Sequence, residues 1–249
     1  MAEALLRAHA VSRRFGGLVA VDGVSLELPR GQLHAVIGTN GAGKSTLINV
    51  LAGELAASDG RVELRGQDVT GWSQPRRALA GIGRSYQRNT LFPNFSVMEN
   101  CRLAAQARHP RPWAWWADAS RCPLSVPAAR DAAVRAGLAD VLDRPAGTLS
   151  HGQRRQLEIA MCLATAPEVL LLDEPLAGMG AEETERMLAL LESLKEGHAI
   201  ALVEHDMDAV FRVADRITVM VNGRVRAGGA PEAVRADPQV QAAYLGHDA

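Results

Sequence analysis

Nine consecutive residues, Gly38-Thr39-Asn40-Gly41-Ala42-Gly43-Lys44-Ser45-Thr46, carry the spacing G-x-x-x-x-G-K-[ST]. They follow the apolar run Leu33-His34-Ala35-Val36-Ile37 and precede apolar positions at Leu47, Ile48, Val50 and Leu51, the strand-to-helix setting such a loop requires. Glycines let the backbone curl so that successive N–H groups face phosphate oxygens. Lys44 is then placed to reach the outer phosphates, and the Ser45 hydroxyl to ligate Mg2+. A second candidate anion site lies far downstream, at Leu149-Ser150-His151-Gly152-Gln153, where a loop turns into the helical run Arg154 to Ala160. A hydroxyl and free backbone N–H groups at a helix N-terminus bind anions. Two such sites in one modest chain raise the question of whether both serve one nucleotide.

Carboxylates and a histidine complete the candidate chemistry. Val169-Leu170-Leu171-Leu172 is an apolar strand ending in Asp173-Glu174. A carboxylate at the C-terminal edge of such a strand sits where ligands of open α/β sheets collect. Asp173 then joins the Mg2+ shell and Glu174 serves as general base for an attacking water. Standing alone, the pair reads equally as the start of a solvated turn before Pro175; the upstream phosphate loop favours the metal-and-base reading. His205, after the apolar strand Ala199 to Val203, is either a γ-phosphate contact or a satisfied structural histidine. Gln87 follows Arg84-Ser85-Tyr86 at another strand end and could touch Mg2+ or the attacking water.

Elements must hold these groups together. The first third reads as antiparallel strands at Leu5–Ala10, Ala20–Leu28 and Gly60–Arg65, separated by glycine turns. Ile82 to Gln87 reads as a short strand. From about Phe95 to Arg144 the pattern becomes helical: Ser96 with Glu99 three residues on forms a capping-box pattern, and a second helix is expected from Ala128 to Leu142. Between them, Pro110 to Pro127 is a proline-rich loop or broken helix holding Trp113, Trp115 and Trp116. The last hundred or so residues alternate strand and helix: helices at Ala181–Glu196 and Met207–Val213, strands at Ala199–Val203 and Arg216–Val221, and a tight turn at Asn222-Gly223. Such alternation implies a mainly parallel sheet with right-handed crossovers.

Composition bounds the function. The chain has 249 residues, 47% of them hydrophobic, and a formal net charge of −1, which suits a packed α/β domain and gives no case for a nucleic-acid partner. Lys44 and Lys195 are its only lysines. Cys101, Cys122 and Cys162 lack metal-ligand spacing and read as reduced thiols. No apolar run approaches the roughly 20 residues needed to span a bilayer, and Met1 to Ala10 lacks the pattern of a signal peptide.

Taken in order, the phosphate loop, Gln87, the stretch Leu149 to Gln153, Asp173-Glu174 and His205 resemble the ATP-binding-cassette (ABC) ATPase family along essentially the whole chain. The resemblance implies an α/β fold: a RecA-like P-loop NTPase core with an N-terminal antiparallel β subdomain, and an inserted α-helical subdomain. Core and β subdomain would take about residues 1–90 and 166–249, the helical subdomain about 91–165. It further implies ATP and Mg2+ as ligands, adenine stacking on Phe15, and a head-to-tail dimer in which the phosphate loop of one chain faces Ser150, Gly152 and Gln153 of the other. Phe15 reads alternatively as a strand-end core aromatic. Two departures stand out. His151 replaces the family's usual glycine, either because histidine tolerates a positive φ there or as an added titratable donor. The turn Leu176-Ala177-Gly178-Met179-Gly180 lacks the family's frequent aspartate, so communication through it would fall to backbone groups.

Within the family, Phe15-Gly16-Gly17-Leu18, Gly81 to Gln87, Asn94 to Gln106, Glu204 to Met207, Ala214 to Ile217 and Ala243 to Gly246 are similar to ATP-binding subunits of bacterial branched-chain amino-acid importers. This implies a homodimer or a pairing with a homologous ATPase subunit. It also implies transmembrane permease partners, an indirect link to a periplasmic or lipoprotein solute-binding protein, and a peripheral place on the cytoplasmic face of the cell membrane. A groove near Gln87 to Asn100 would receive a permease helix; the tryptophans either join that contact or pack on their own subdomain. The rival readings are the ATPase of a lipopolysaccharide-extraction system and a soluble ABC ATPase.

Overall fold

A computed structural model describes residues 4–85, 91–108, 118–238 and 240. The strands are β1 (Ala4–Phe15), β2 (Leu18–Pro29), β3 (Leu33–Gly38), β4 (Asp59–Leu64), β5 (Gln67–Asp68), β6 (Ile82–Arg84), β7 (Val169–Asp173), β8 (Ala199–Val203), β9 (Arg216–Val221) and β10 (Arg224–Gly229). The helices are α1 (Lys44–Ala52), α2 (Gln74–Leu79), α3 (Val97–Gln106), α4 (Ser125–Arg135), α5 (His151–Ala164), α6 (Ala181–Leu194), α7 (Met207–Val213) and α8 (Pro231–Arg235).

Two sheets organise the described residues. A four-stranded antiparallel sheet runs β2-β1-β4-β5, and a six-stranded sheet runs β10-β9-β3-β8-β7-β6. In the larger sheet β6, β7, β8, β3 and β9 are parallel, and only the edge strand β10 is antiparallel. Residues 33–37 and 169–173 are buried throughout, as expected of strands covered on both faces. Alternate side chains enter opposite cores. Leu33, Ala35, Ile37, Leu170 and Leu172 pack with α3 to α6. Val36, Val169 and Leu171 pack with α1 and the antiparallel sheet.

Several elements differ from the sequence reading. β1 and β2 run to Phe15 and from Leu18, closing on the Gly16-Gly17 turn rather than stopping at Ala10 and Ala20. The helix expected over Ala128–Leu142 is α4, beginning at Ser125 and ending at Arg135. Gly137, at φ +78°, takes the left-handed conformation that a side chain disfavours, and Leu138 N–H bonds the Ala133 carbonyl to stop the helix. Ser96 caps α3 by accepting the Glu99 N–H. The reciprocal half of the expected capping box is displaced, because the Glu99 carboxylate pairs with the Arg102 guanidinium at 2.7 Å, a charge-assisted contact. α6 ends at Leu194 and continues as a 3-10 turn through Gly197. No helix among the described residues is long and apolar enough to cross a membrane.

Candidate functional site

Parallel pairing sets Val36 of β3 and Asp173 of β7 both against Val203 of β8, so the C-terminal ends of these strands converge. The loop 38–46, the acidic pair and His205 therefore share one edge of the sheet. The loop's backbone is held from outside. A Cβ on Gly38 would lie 2.4 Å from the Met220 carbonyl oxygen, and one on Gly43, where φ is +97°, 2.2 Å from that of Ala20. Glycine is required at both places. The Asn222-Gly223 turn between β9 and β10 braces the loop: Gly223 N–H donates to the Ala42 carbonyl at 3.0 Å, and its own carbonyl accepts Asp22 N–H at 2.9 Å.

Lys44, at the start of α1, is buried and donates to the carbonyls of Gly38 at 2.7 Å and Thr39 at 3.1 Å. Burial lowers its pKa, opposed by the nearby charges of Glu174 and Asp173. Ser45 Oγ donates to Asp173 Oδ1 at 3.3 Å, and the Asp173 N–H is held by Ser85 Oγ at 3.2 Å. Burial raises the Asp173 pKa, partly offset by the Ser45 hydrogen bond. Glu174 sits at φ +51°, a costly conformation for a side chain, and its N–H is bonded to the Val203 carbonyl at 2.9 Å. Its side chain is 28% exposed, and His205 Nδ1 lies 4.0 Å from its Oε1. Behind them, the fully buried Glu204 accepts the N–H groups of Leu176 at 2.8 Å and His205 at 3.2 Å, fixing the turn after Glu174.

A cleft of about 690 Å3 opens over this edge, lined by residues 40–46, Phe15, Glu174 and the Asn222-Gly223 turn. Gly38 and Thr39 lie outside its lining. Phe15 is 43% exposed, with the Arg13 guanidinium 4.6 Å from its ring centre; this placement is that of an accessible ring rather than a core aromatic.

The second candidate anion site is elsewhere. Ser150 caps α5, its hydroxyl accepting Gln153 N–H while Gln153 Oε1 accepts Ser150 N–H. Ser150, Gly152 and Gln153 line a separate cavity of about 370 Å3 that shares no residue with the first. His151 is the first residue of α5 and has no positive φ, so the backbone demand considered for it does not arise. Its Nε2 instead donates to the Ala177 carbonyl at 2.9 Å, tying the α5 N-terminus to the turn that follows Glu174.

Residues 21–177 match the model of the ABC transporter family, and residues 227–249 match that of the branched-chain amino acid ATP-binding cassette transporter. The chain belongs to the ABC transporter family. It is 38% identical to the high-affinity branched-chain amino acid transport ATP-binding protein BraF of Pseudomonas aeruginosa, over 99% of each chain. The Escherichia coli protein LivG, of the same description, is 38% identical with the same coverage. Among solved structures, the ADP conformation of the ABC-transporter cassette MJ1267 superposes with a TM-score of 0.86 at 31% identity, covering 98% of this chain and all of that one. A nucleotide-free cassette gives a TM-score of 0.86 at 30% identity, over 97% of this chain and 99% of that one. The protein is an ABC-type transport ATPase with the ABC ATPase fold.

In this cassette, Phe15, the loop from Asn40 to Thr46, Asp173, Glu174 and His205 gather at one sheet edge, while Ser150, Gly152 and Gln153 lie in another cavity. Gln87 and the three tryptophans, Trp113, Trp115 and Trp116, fall outside the described residues. Three site roles are absent from the sequence reading: the bracing of the loop by the expected Asn222-Gly223 turn, the anchoring by the buried Glu204, and the approach of Glu183 to Ser150 and Gly152. Only Gly223 carried a usable signal, as part of an Asn-Gly turn.

Proposed function

We propose that this cassette is the ATP-hydrolysing subunit of a bacterial importer for branched-chain amino acids or a related small solute, and that it works as a head-to-tail pair. The observation that carries the pairing is the separation of two candidate anion sites in one chain, one with the phosphate loop and carboxylates, the other with the Ser150 hydroxyl and the N–H groups at the start of α5. A nucleotide seated on the first would be enclosed by the second site of another copy or of a homologous subunit. The match of residues 227–249 favours the importer over the lipopolysaccharide-extraction and soluble alternatives. Permease subunits would hold the cassette at the cytoplasmic face of the membrane, with the solute-binding protein acting through them.

The residues suit Mg2+. Ser45 Oγ and Asp173 Oδ1 form a close pair of hard oxygen donors, and burial leaves Asp173 in want of a cation. These two, with Gln87, would hold the ion, which when bound neutralises and orients the phosphate oxygens. Residues 38–46 would cradle the phosphates through backbone N–H groups, and Phe15 would stack on the adenine. Glu174 would accept a proton from the attacking water as the water oxygen bonds the γ-phosphorus and the bond to the ADP oxygen breaks. His205 would contact the γ-phosphate from beside Glu174.

The test is Glu174→Gln. Turnover should fall at least about 100-fold, with ATP binding retained and an ATP-dependent dimer accumulating; hydrolysis at the parent rate would remove Glu174 from its role. Co-purification with permease subunits, and stimulation of turnover by a solute-binding protein loaded with leucine, would then test the importer assignment.

A further inference from the structure

The donors of the second anion site already hold an anion, and it belongs to the same chain. Glu183 lies in the first turn of α6, and its Oε1 accepts both the Ser150 hydroxyl at 2.9 Å and the Gly152 N–H at 3.1 Å. The fit is close: a Cβ on Gly152 would stand 2.7 Å from the Glu183 carboxyl carbon. A carboxylate oxygen taking a hydroxyl and a backbone N–H at a helix N-terminus is an anionic acceptor, as a phosphate oxygen would be there.

The proton count makes this contact exclusive. Ser150 has one hydroxyl proton, directed to Glu183, while its oxygen accepts the Gln153 N–H. Gly152 has one amide proton, also directed to Glu183. Neither donor can serve Glu183 and a phosphate at full strength, and two anions at contact distance repel. Contrast with Glu204 shows which carboxylate can leave: Glu204 is fully buried, whereas Glu183 borders an open cavity and can rotate into water. The Ser150 hydrogen bond holds the Glu183 carboxyl below its ordinary pKa, so it is anionic throughout the neutral range.

Building on the head-to-tail reading, we infer that Glu183 is an internal surrogate for phosphate that occupies Ser150 and Gly152 until the nucleotide of the facing cassette displaces it, and so sets the ATP concentration at which two cassettes close. It contributes no chemistry to hydrolysis. It keeps the helix N-terminus ordered in the open state and opposes closure until ATP is bound across the interface.

The experiment is an ATP titration of dimer formation, followed by light scattering, in the Glu174→Gln background. Because the contact is half-exposed and screened, Glu183→Ala should lower the ATP concentration at the midpoint by about three- to tenfold. Glu183→Gln, which keeps an acceptor but removes the charge, should fall between. Ser150→Ala should raise the midpoint with or without Glu183. Binding of a fluorescent ATP analogue to dilute, monomeric protein reports the phosphate-loop side alone and should not change with Glu183. A folded Glu183→Ala whose midpoint is unchanged or raised overturns the inference and leaves Glu183 as a structural cap. Should that variant fail to fold, Glu183→Gln decides by the same criterion. If the Glu174→Gln parent forms no dimer at saturating ATP while still binding the analogue, the head-to-tail reading fails, and this inference with it.

Discussion

The two candidate anion sites of this cassette are made from similar parts and held in opposite ways. At the phosphate loop, the space beside Gly38 and Gly43 is filled by the backbone carbonyls of Met220 and Ala20, which belong to strands of two different sheets. At α5, the space beside Gly152 is filled by the end of one side chain, Glu183. Backbone inside a sheet cannot step aside, whereas a carboxylate at a cavity rim can. One site is therefore part of the core and cannot be altered without disturbing the fold. The other is an addition to the surface, and its contents can be exchanged.

The largest separation between the sites should appear in their glycines. Gly43→Ala puts a side chain at φ +97° and a methyl carbon 2.2 Å from the Ala20 carbonyl oxygen. The expected loss is about 3 kcal/mol of stability, accompanied by loss of ATP binding, since the same backbone shapes the loop. Urea unfolding and an ATP titration measure both quantities. An unchanged unfolding midpoint would show that the loop and β2 part easily, and would erase the contrast.

A pH series probes the same rigid side through β3. His34 is buried at the start of that strand, its Nε2 2.8 Å from Thr218 Oγ1 on β9. Burial lowers its pKa from 6.5 to about 4, with the neighbouring Arg216 charge acting in the same direction and the Glu27 carbonyl opposing it. Between those values the unfolded chain binds the proton and the folded chain does not. Stability is therefore full above pH 6.5 and falls as the pH drops, with the loss complete near pH 4. The whole shift corresponds to about 3 kcal/mol. Unfolding at stepped pH should give a steeper decline for the parent than for His34→Gln, and equal slopes would exclude His34 as the source.

The same contrast explains what was legible in the sequence. The phosphate loop, β3 and β7 are local: a glycine spacing and unbroken apolar runs carry them, and the buried strand ends place Asp173 and Glu174 beside Ser45 with little freedom. Other element limits differ from those the apolar pattern implies, for a tertiary reason in one case and a local one in the other. β1 and β2 extend because each supplies the other's hydrogen bonds up to the Gly16-Gly17 turn, and α4 ends early because Gly137 takes a left-handed turn. Glu183 was invisible because it meets Ser150 across 33 residues of sequence, with no motif joining them. A glutamate in the first turn of a helix is also common for reasons of dipole alone.

At the surface site a smaller effect is expected, and of a different kind. Gly152→Ala displaces the Glu183 side chain rather than backbone, and alanine suits a helix better than glycine by up to about 1 kcal/mol. Monomer stability should thus stay within about 1 kcal/mol of the parent. ATP-dependent dimerisation should nevertheless be impaired, because the added methyl group stands where the facing phosphate would approach. Stability and function would part company here, where at Gly43 they fall together. A Gly152→Ala protein that unfolds as readily as Gly43→Ala would show that α5 is as rigidly held as the loop.

The smallest effect belongs to His151, one of the ties between the surface site and the turn after the acidic pair. Its ring donates a single hydrogen bond to the Ala177 carbonyl at an exposed position. Removing it with His151→Ala should cost about 0.5–1 kcal/mol and leave ATP binding at the phosphate loop as it was. Turnover is the sensitive readout. Ala177 lies in the turn whose Leu176 N–H is fixed by Glu204, so one anchor remains when His151 is lost, and kcat should fall by only about two- to fivefold, the scale of one exposed hydrogen bond. His151→Gly, which restores the family's usual residue at this position, should behave like the alanine variant in turnover and lose slightly more stability through helix propensity. If either variant turned over ATP at the parent rate, the turn would be positioned by Glu204 alone, and the two sites would be joined through the core rather than through this surface contact.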